Sequence, residues 1–219
     1  MAGRTVPVAP RRRLATGLAV AGAVWALLTL PLVAQGWSWP AVDALAAAVP
    51  YRWVAGWVGD PYVAVGALGG LSFLAVGVAL LVGLRPARWS GRLLAWVTFA
   101  GAAVTPLSYL GTDEASPLHG WWGAEIWVLA AIAVAGVVAG LTGGRAWPRG
   151  VRVLLGLTPV VLVVGMLALG YYPHGCLVAY GAAVAVVVHR TAGGPGTREA
   201  GPPRQGTDRP LDEPTIRRG

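Results

Sequence analysis

Apolar runs long enough to cross a bilayer constrain this chain more than any other feature. A helix rises about 1.5 Å per residue, so about 20 apolar residues cover roughly 30 Å of hydrocarbon. Runs of that kind occupy 14–34, 62–84, 93–111, 121–142 and 153–172, and a shorter one occupies 174–189. Inside lipid the backbone must satisfy its own hydrogen bonds, so each run is expected to be helical. The predicted fold is all-α, a polytopic membrane bundle of six transmembrane helices. Composition agrees: 56% of the 219 residues are hydrophobic and 12% are charged, about half the charge of an ordinary soluble domain. Arg11-Arg12-Arg13 ahead of the first run resembles the basic start of a signal peptide. The run is longer than the usual ~7–15 residues, and Leu32-Val33-Ala34 is a poor cleavage site, so an uncleaved anchor is expected.

Charge placement sets the orientation. Every basic residue other than His is Arg, and the chain has neither Lys nor Asn, a bias expected of a GC-rich bacterial genome. Arg clusters precede the first run, fill 85–92 and 145–152, and follow 189, whereas only Arg52 falls on the opposite side. That opposite side carries Asp43, Asp60, Asp113, Glu114 and Glu125. Basic residues stay cytoplasmic, so both termini are predicted to lie inside (N-in, C-in), in a bacterial inner membrane. The alternation requires the short sixth run to span. Anionic lipid headgroups are the expected partners of the Arg loops. The net charge of +8 does not imply nucleic acid, because the Arg residues sit in short clusters rather than on one continuous face. Trp37, Trp39, Trp53, Trp57, Trp121 and Trp122 would belt the outer interface, and Trp89 and Trp147 the inner one.

The domains follow from this plan. Residues 1–13 form a basic cytoplasmic start, and 14–190 the bundle. The outer connection 36–60 should lie on the membrane surface, with a short helix opened by Pro40 and ended by Pro50. The tail 191–219 is rich in Gly, Pro and charge and should be disordered. Pro31, Pro106 and Pro159 should kink helices one, three and five, and Thr105 and Thr158 could rebind the freed carbonyls. Gly66/Gly70 and Gly136/Gly140 are GxxxG pairs suited to close packing within the bundle, while leaving room for a homo-oligomer. Pro117-Leu118-His119-Gly120 and Pro173-His174-Gly175 echo one another, as copies of one hairpin would.

Chemistry concentrates at the outer ends. Glu125 is the one acid within a span, and an ionisable group there is costly unless it faces a cavity or a partner. Asp60, Tyr109, His119 and His174 join it as candidates for an outer polar vestibule, with Asp113, Glu114, Tyr171, Tyr172 and Cys176 nearby. His119, His174 and Glu125 together could furnish a 2-His-1-carboxylate metal set. The spacing of His119 and Glu125 suits no single helical face, and interfacial histidines are common, so no metal and no cofactor is expected. The lone Cys176 excludes an internal disulfide. The arrangement resembles the rhomboid proteases in topology: six helices, a long outer first loop carrying Arg52-Trp53, and His174 opening the sixth helix. The resemblance implies no proteolysis, because 121–142 has no Ser where those enzymes place a GxSxG-like serine. The expected function is non-enzymatic: small-molecule or ion transport, binding, or membrane assembly through the outer vestibule. A membrane enzyme or a metal or redox protein built on His119, His174 and Glu125 is the alternative.

Overall fold

A computed structural model describes residues 8–34, 39–84, 89–144 and 147–191. Arg4, Trp37, Arg85, Arg88 and Arg145, and the tail after Thr191, lie outside the described residues. Among the described residues the chain is helical without strands. The helices are α1 (Val8–Val33), α2 (Pro40–Ala46), α3 (Val49–Val58), α4 (Pro61–Leu68), α5 (Gly70–Gly83), α6 (Trp89–Leu110), α7 (Glu125–Thr142), α8 (Arg149–Gly156), α9 (Thr158–Leu169) and α10 (His174–Thr191), with a 3₁₀ turn at His119–Trp121 before α7.

Four stretches are long and apolar enough to cross a membrane: Pro10–Val33, Pro61–Gly83, Trp89–Leu110 and His119–Thr142. The pair α8 and α9 adds a fifth if its two members, bent by 56°, count as one span. The 18 residues of α10 are not among them. The helices are apolar outside as well as inside: Leu28, Trp127, Leu141, Val164 and Leu167 are all more than half exposed. A helix that is hydrophobic all round is compatible with a membrane protein.

The breaks have local causes. Leu68 and Gly70 flank Gly69, where i+3 bonds from Gly69 to Gly66 (2.9 Å) and from Ser72 to Gly69 (3.0 Å) tighten the backbone. The Trp25 indole N–H of α1 donates to the Leu68 carbonyl at that break, at 2.9 Å. Pro159 stands in the first turn of α9, and the Thr158 hydroxyl donates to the Leu155 carbonyl at 2.6 Å, as expected for a carbonyl released beside Pro. Thr105 does not do the same: its buried hydroxyl has no partner among the described residues. Pro50 also departs from expectation. It sits in the first turn of α3 rather than ending α2, because a proline lacking an N–H loses nothing where the helix has no acceptor to offer. The surface of α3 is exposed at Trp53 and Trp57, while Tyr51, Val54 and Ala55 pack against Leu32, Val33 and Val65.

Helix α10 is the packing centre, in contact with α1, α5, α8 and α9. The layer continues from α5 to α6 and from α6 to α7, which closes on α8 and α9. Glycines make these approaches possible, and they are spent inside the molecule. A Cβ on Gly66 would enter the Tyr109 ring, and one on Gly70 would lie 2.8 Å from the Ala102 carbonyl. Gly136 and Gly140 receive Thr158 and the Arg152 carbonyl in the same way. Polar pairs tie the interior: Thr98 to Tyr180 at 2.9 Å, and Thr142 to Ser90 at 2.8 Å.

The two ends of the bundle differ in charge. At one end the start of α1 meets the finish of α10, where Arg12 bonds His189 through Nε at 3.3 Å. The Thr191 hydroxyl reaches the Gly83 carbonyl at 3.3 Å at the same end. Arg11, Arg12, Arg13, Arg92, Arg149, Arg152 and Arg190 all belong there. The opposite end gathers α2, α3, the starts of α4, α7 and α10 and the finishes of α1, α6 and α9. It holds every described acid, and Arg52 alone of the described arginines.

Candidate functional site

The acidic end contains a cavity of about 350 Å³. Glu125 contributes from the first turn of α7, Ser108 and Tyr109 from the last turn of α6, and Tyr62 from the start of α4. Trp122 and Gly123 come from the turn before α7, and Tyr171, Tyr172 and Pro173 from the link between α9 and α10.

The carboxylate is built in by its neighbours. Glu125 is 4% exposed, so its carboxyl group has been taken out of bulk water. The Gly123 backbone N–H donates to Ser108 Oγ at 2.9 Å, and the Ser108 hydroxyl in turn donates to Glu125 Oε2. Gly123 has φ +75°, a left-handed conformation that glycine adopts without strain. The position of Glu125 at a helix N-terminus adds the favourable dipole. Ser108 has its oxygen engaged by one neighbour and its proton by the next. It is a buttress for the carboxylate rather than a free nucleophile.

Aromatic rings wall the cavity. Tyr62 and Tyr109 meet with ring centroids 5.1 Å apart, and Tyr171 and Tyr172 stack at 6.4 Å. The Tyr109 and Tyr171 hydroxyls lie 3.3 Å apart. Gly66 has no side chain where the Tyr109 ring lies flat against α4. Tyr171 is placed by the end of α9: Gly170, at φ +70°, caps that helix through its N–H to Met166 at 2.8 Å. Trp39 fixes the same corner by donating its indole N–H to the Leu167 carbonyl at 3.0 Å. Tyr172, at the rim, also lines an apolar groove of about 280 Å³ between α7 and α9 that includes Ile126, Leu162 and Cys176.

The structure separates the residues singled out from the sequence. Glu125 and Tyr109 share the cavity. Asp60 does not line it: its carboxylate caps α4, accepting from the Val63 N–H at 3.2 Å. His174 stands behind the wall, its ring 6.3 Å from Tyr109 and 6.0 Å from Tyr171. It is fully buried, and neither ring nitrogen has a hydrogen-bond partner among the described residues. His119 stays at the rim, where Nδ1–H donates to the Gly111 carbonyl at 3.0 Å and the ring stacks on Trp122. The two imidazoles therefore do not occupy equivalent positions. No group of three His, Cys, Asp or Glu side chains among the described residues could hold a metal ion, and His119, His174 and Glu125 are not gathered into one. Asp113 accepts from the Ala115 N–H at 2.9 Å in the exposed loop after α6.

The sequence reading missed Tyr62, Ser108 and Gly123 among the cavity residues, and Ser108 is the one that holds the carboxylate. A signal was present: Thr98, Thr105 and Ser108 recur at helical spacing on α6, and all are buried. No family model matches the chain, and neither does any curated protein or solved structure, so the topological resemblance to rhomboid proteases gains no support.

Proposed function

We propose that the chain is a non-enzymatic multi-pass protein of the bacterial plasma membrane that binds, and in doing so carries or senses, a small molecule or ion in an outward-facing vestibule floored by Glu125. The observation that carries this reading is the cavity itself: a buried carboxylate, held by Ser108 and Gly123, facing an open space about ten water molecules in volume. An ionisable group within a span is costly and usually faces a cavity, a ligand or a partner. Six spans with both termini in the cytoplasm fit the separation of charge between the two ends. The broken segments α4–α5 and α8–α9 each count as one span in this reading, and α10 as the sixth, with His174 and Tyr180 buried among the surrounding helices. The Arg-rich end then meets anionic headgroups of the inner leaflet.

Chemical labelling tests orientation and cavity together. In a Cys176→Ala background, Tyr172→Cys at the rim should react with a membrane-impermeant maleimide added outside intact cells. Reaction only in inverted vesicles would reverse the orientation, and no reaction in either would remove the vestibule.

A further inference from the structure

We infer that the vestibule selects a monovalent organic ammonium, a substituted nitrogen cation rather than a metal ion, an anion or a neutral solute. This rests on the reading of the cavity as a ligand site and specifies its occupant. An anion would meet the Glu125 carboxylate, with no described arginine at this end except Arg52, which does not line the cavity. A hard divalent cation needs about six to eight oxygen ligands, and the lining supplies one carboxylate and a few hydroxyls, two of which, on Tyr109 and Tyr171, face each other. A neutral apolar solute would fill the space but offer the Glu125 carboxyl neither a hydrogen bond nor a counter-charge.

An ammonium carrying carbon substituents answers every wall at once. Its charge is spread over a large, weakly hydrated surface that ring faces attract, and its centre pairs with the carboxylate. Tyr62, Tyr109, Tyr171, Tyr172 and Trp122 provide the rings, and Glu125 the counter-charge. The cavity volume lies at the small end for ligand sites, which favours a compact cation. Asp60, Asp113 and Glu114, exposed at the same end, raise the local concentration of cations before entry. The apolar groove that shares Tyr172 with the cavity gives a longer alkyl substituent a lateral exit.

The test compares choline with 3,3-dimethylbutan-1-ol, which has the same shape with carbon in place of charged nitrogen. Both are titrated calorimetrically against the full-length protein in nanodiscs. Choline should bind at least about tenfold more tightly than its neutral isostere, and excess sodium should not displace it, as expected for a desolvated cation–aromatic site. Glu125→Gln should abolish the preference. Trp122→Leu, at an exposed position of the turn before α7, should weaken choline severalfold. Equal binding of the two probes would overturn the cation assignment while leaving the vestibule as a ligand site. Displacement of choline by sodium at equal concentration would overturn the role of the rings. Failure of both probes, in protein whose Tyr172→Cys variant labels from outside, would overturn the inference and spare the vestibule.

Discussion

His119-Gly120 and His174-Gly175 look alike in the sequence, and each stands at the acidic end just before or at the start of a helix. The molecule treats them oppositely. His174 and Gly175 lie inside the bundle: Gly175 packs closely on the backbone of Gly165 on α9, and a Cβ on Gly69 would lie 3.0 Å from His174 Nε2. His119 and Gly120 sit on a surface turn, where a Cβ on Gly120 would meet nothing within 4 Å. The same dipeptide is a packing element in one place and a turn in the other. What differs is the set of distant helices that reach it, α4, α5, α6 and α9 for the first and the adjoining loop for the second.

Alanine substitution should expose this contrast most strongly. In Gly175→Ala the new methyl carbon would lie 2.6 Å from the Gly165 carbonyl oxygen, so α9 and α10 must part. Overpacking of this kind costs about 1–3 kcal/mol. Gly120→Ala should stay within about 0.5 kcal/mol of the parent, as surface changes do. Thermal unfolding of the two variants in one detergent reads the difference. Equal midpoints would mean that the α9–α10 contact is not as close as the structure shows.

The contrast also marks what the sequence makes legible. The apolar runs at 14–34, 62–84, 93–111 and 121–142 announce membrane-compatible helices because each needs only its own composition to be recognised. The separation of Arg from Asp and Glu is equally local. The burial of Glu125 follows from the cost of an acid within a span, and the structure places it at 4% exposure. Other features depend on neighbours distant in sequence. The sequence reading set His119 and His174 in one outer vestibule; His174 is instead enclosed behind its wall because Gly69, some hundred residues earlier, leaves a notch where α4 breaks from α5. Ser108 was overlooked because one buried hydroxyl acquires meaning only when Gly123 and Glu125 close on it from the next helix. The place of Pro50 could have been read correctly, since a proline fits the first turn of a following helix as well as the end of a preceding one.

The second contrast is one of sign. His174 buries two ring nitrogens that have no hydrogen-bond partner among the described residues. A buried polar group left unpaired weighs against folding, and an apolar residue of similar shape removes that burden. His174→Leu should therefore raise the unfolding midpoint, by the equivalent of on the order of 1 kcal/mol. A lower midpoint would show that the imidazole makes a hydrogen bond in the folded protein, and would make it a candidate participant in the site behind the Tyr109–Tyr171 wall.

An effect of similar size, in the opposite direction, is expected at the other histidine. His119 has its needs met: one nitrogen donates to the Gly111 carbonyl at 3.0 Å, and the ring lies nearly parallel to Trp122, 12° from coplanar. That hydrogen bond closes the loop between α6 and the turn before α7, and the stack steadies a ring of the cavity wall. His119→Leu should lower the midpoint by the equivalent of about 0.5–1.5 kcal/mol, the net worth of one hydrogen bond in a half-exposed setting. His119→Phe keeps a ring against Trp122 but loses the donor, so it should fall between the parent and His119→Leu. If Phe restores the parent midpoint, the stack carries the turn. If Phe and Leu are equally destabilised, the bond to Gly111 carries it. If neither substitution lowers the midpoint while His174→Leu does, the two histidines have been assigned to the wrong roles, and the distinction between a buried packing element and a hydrogen-bonded turn fails.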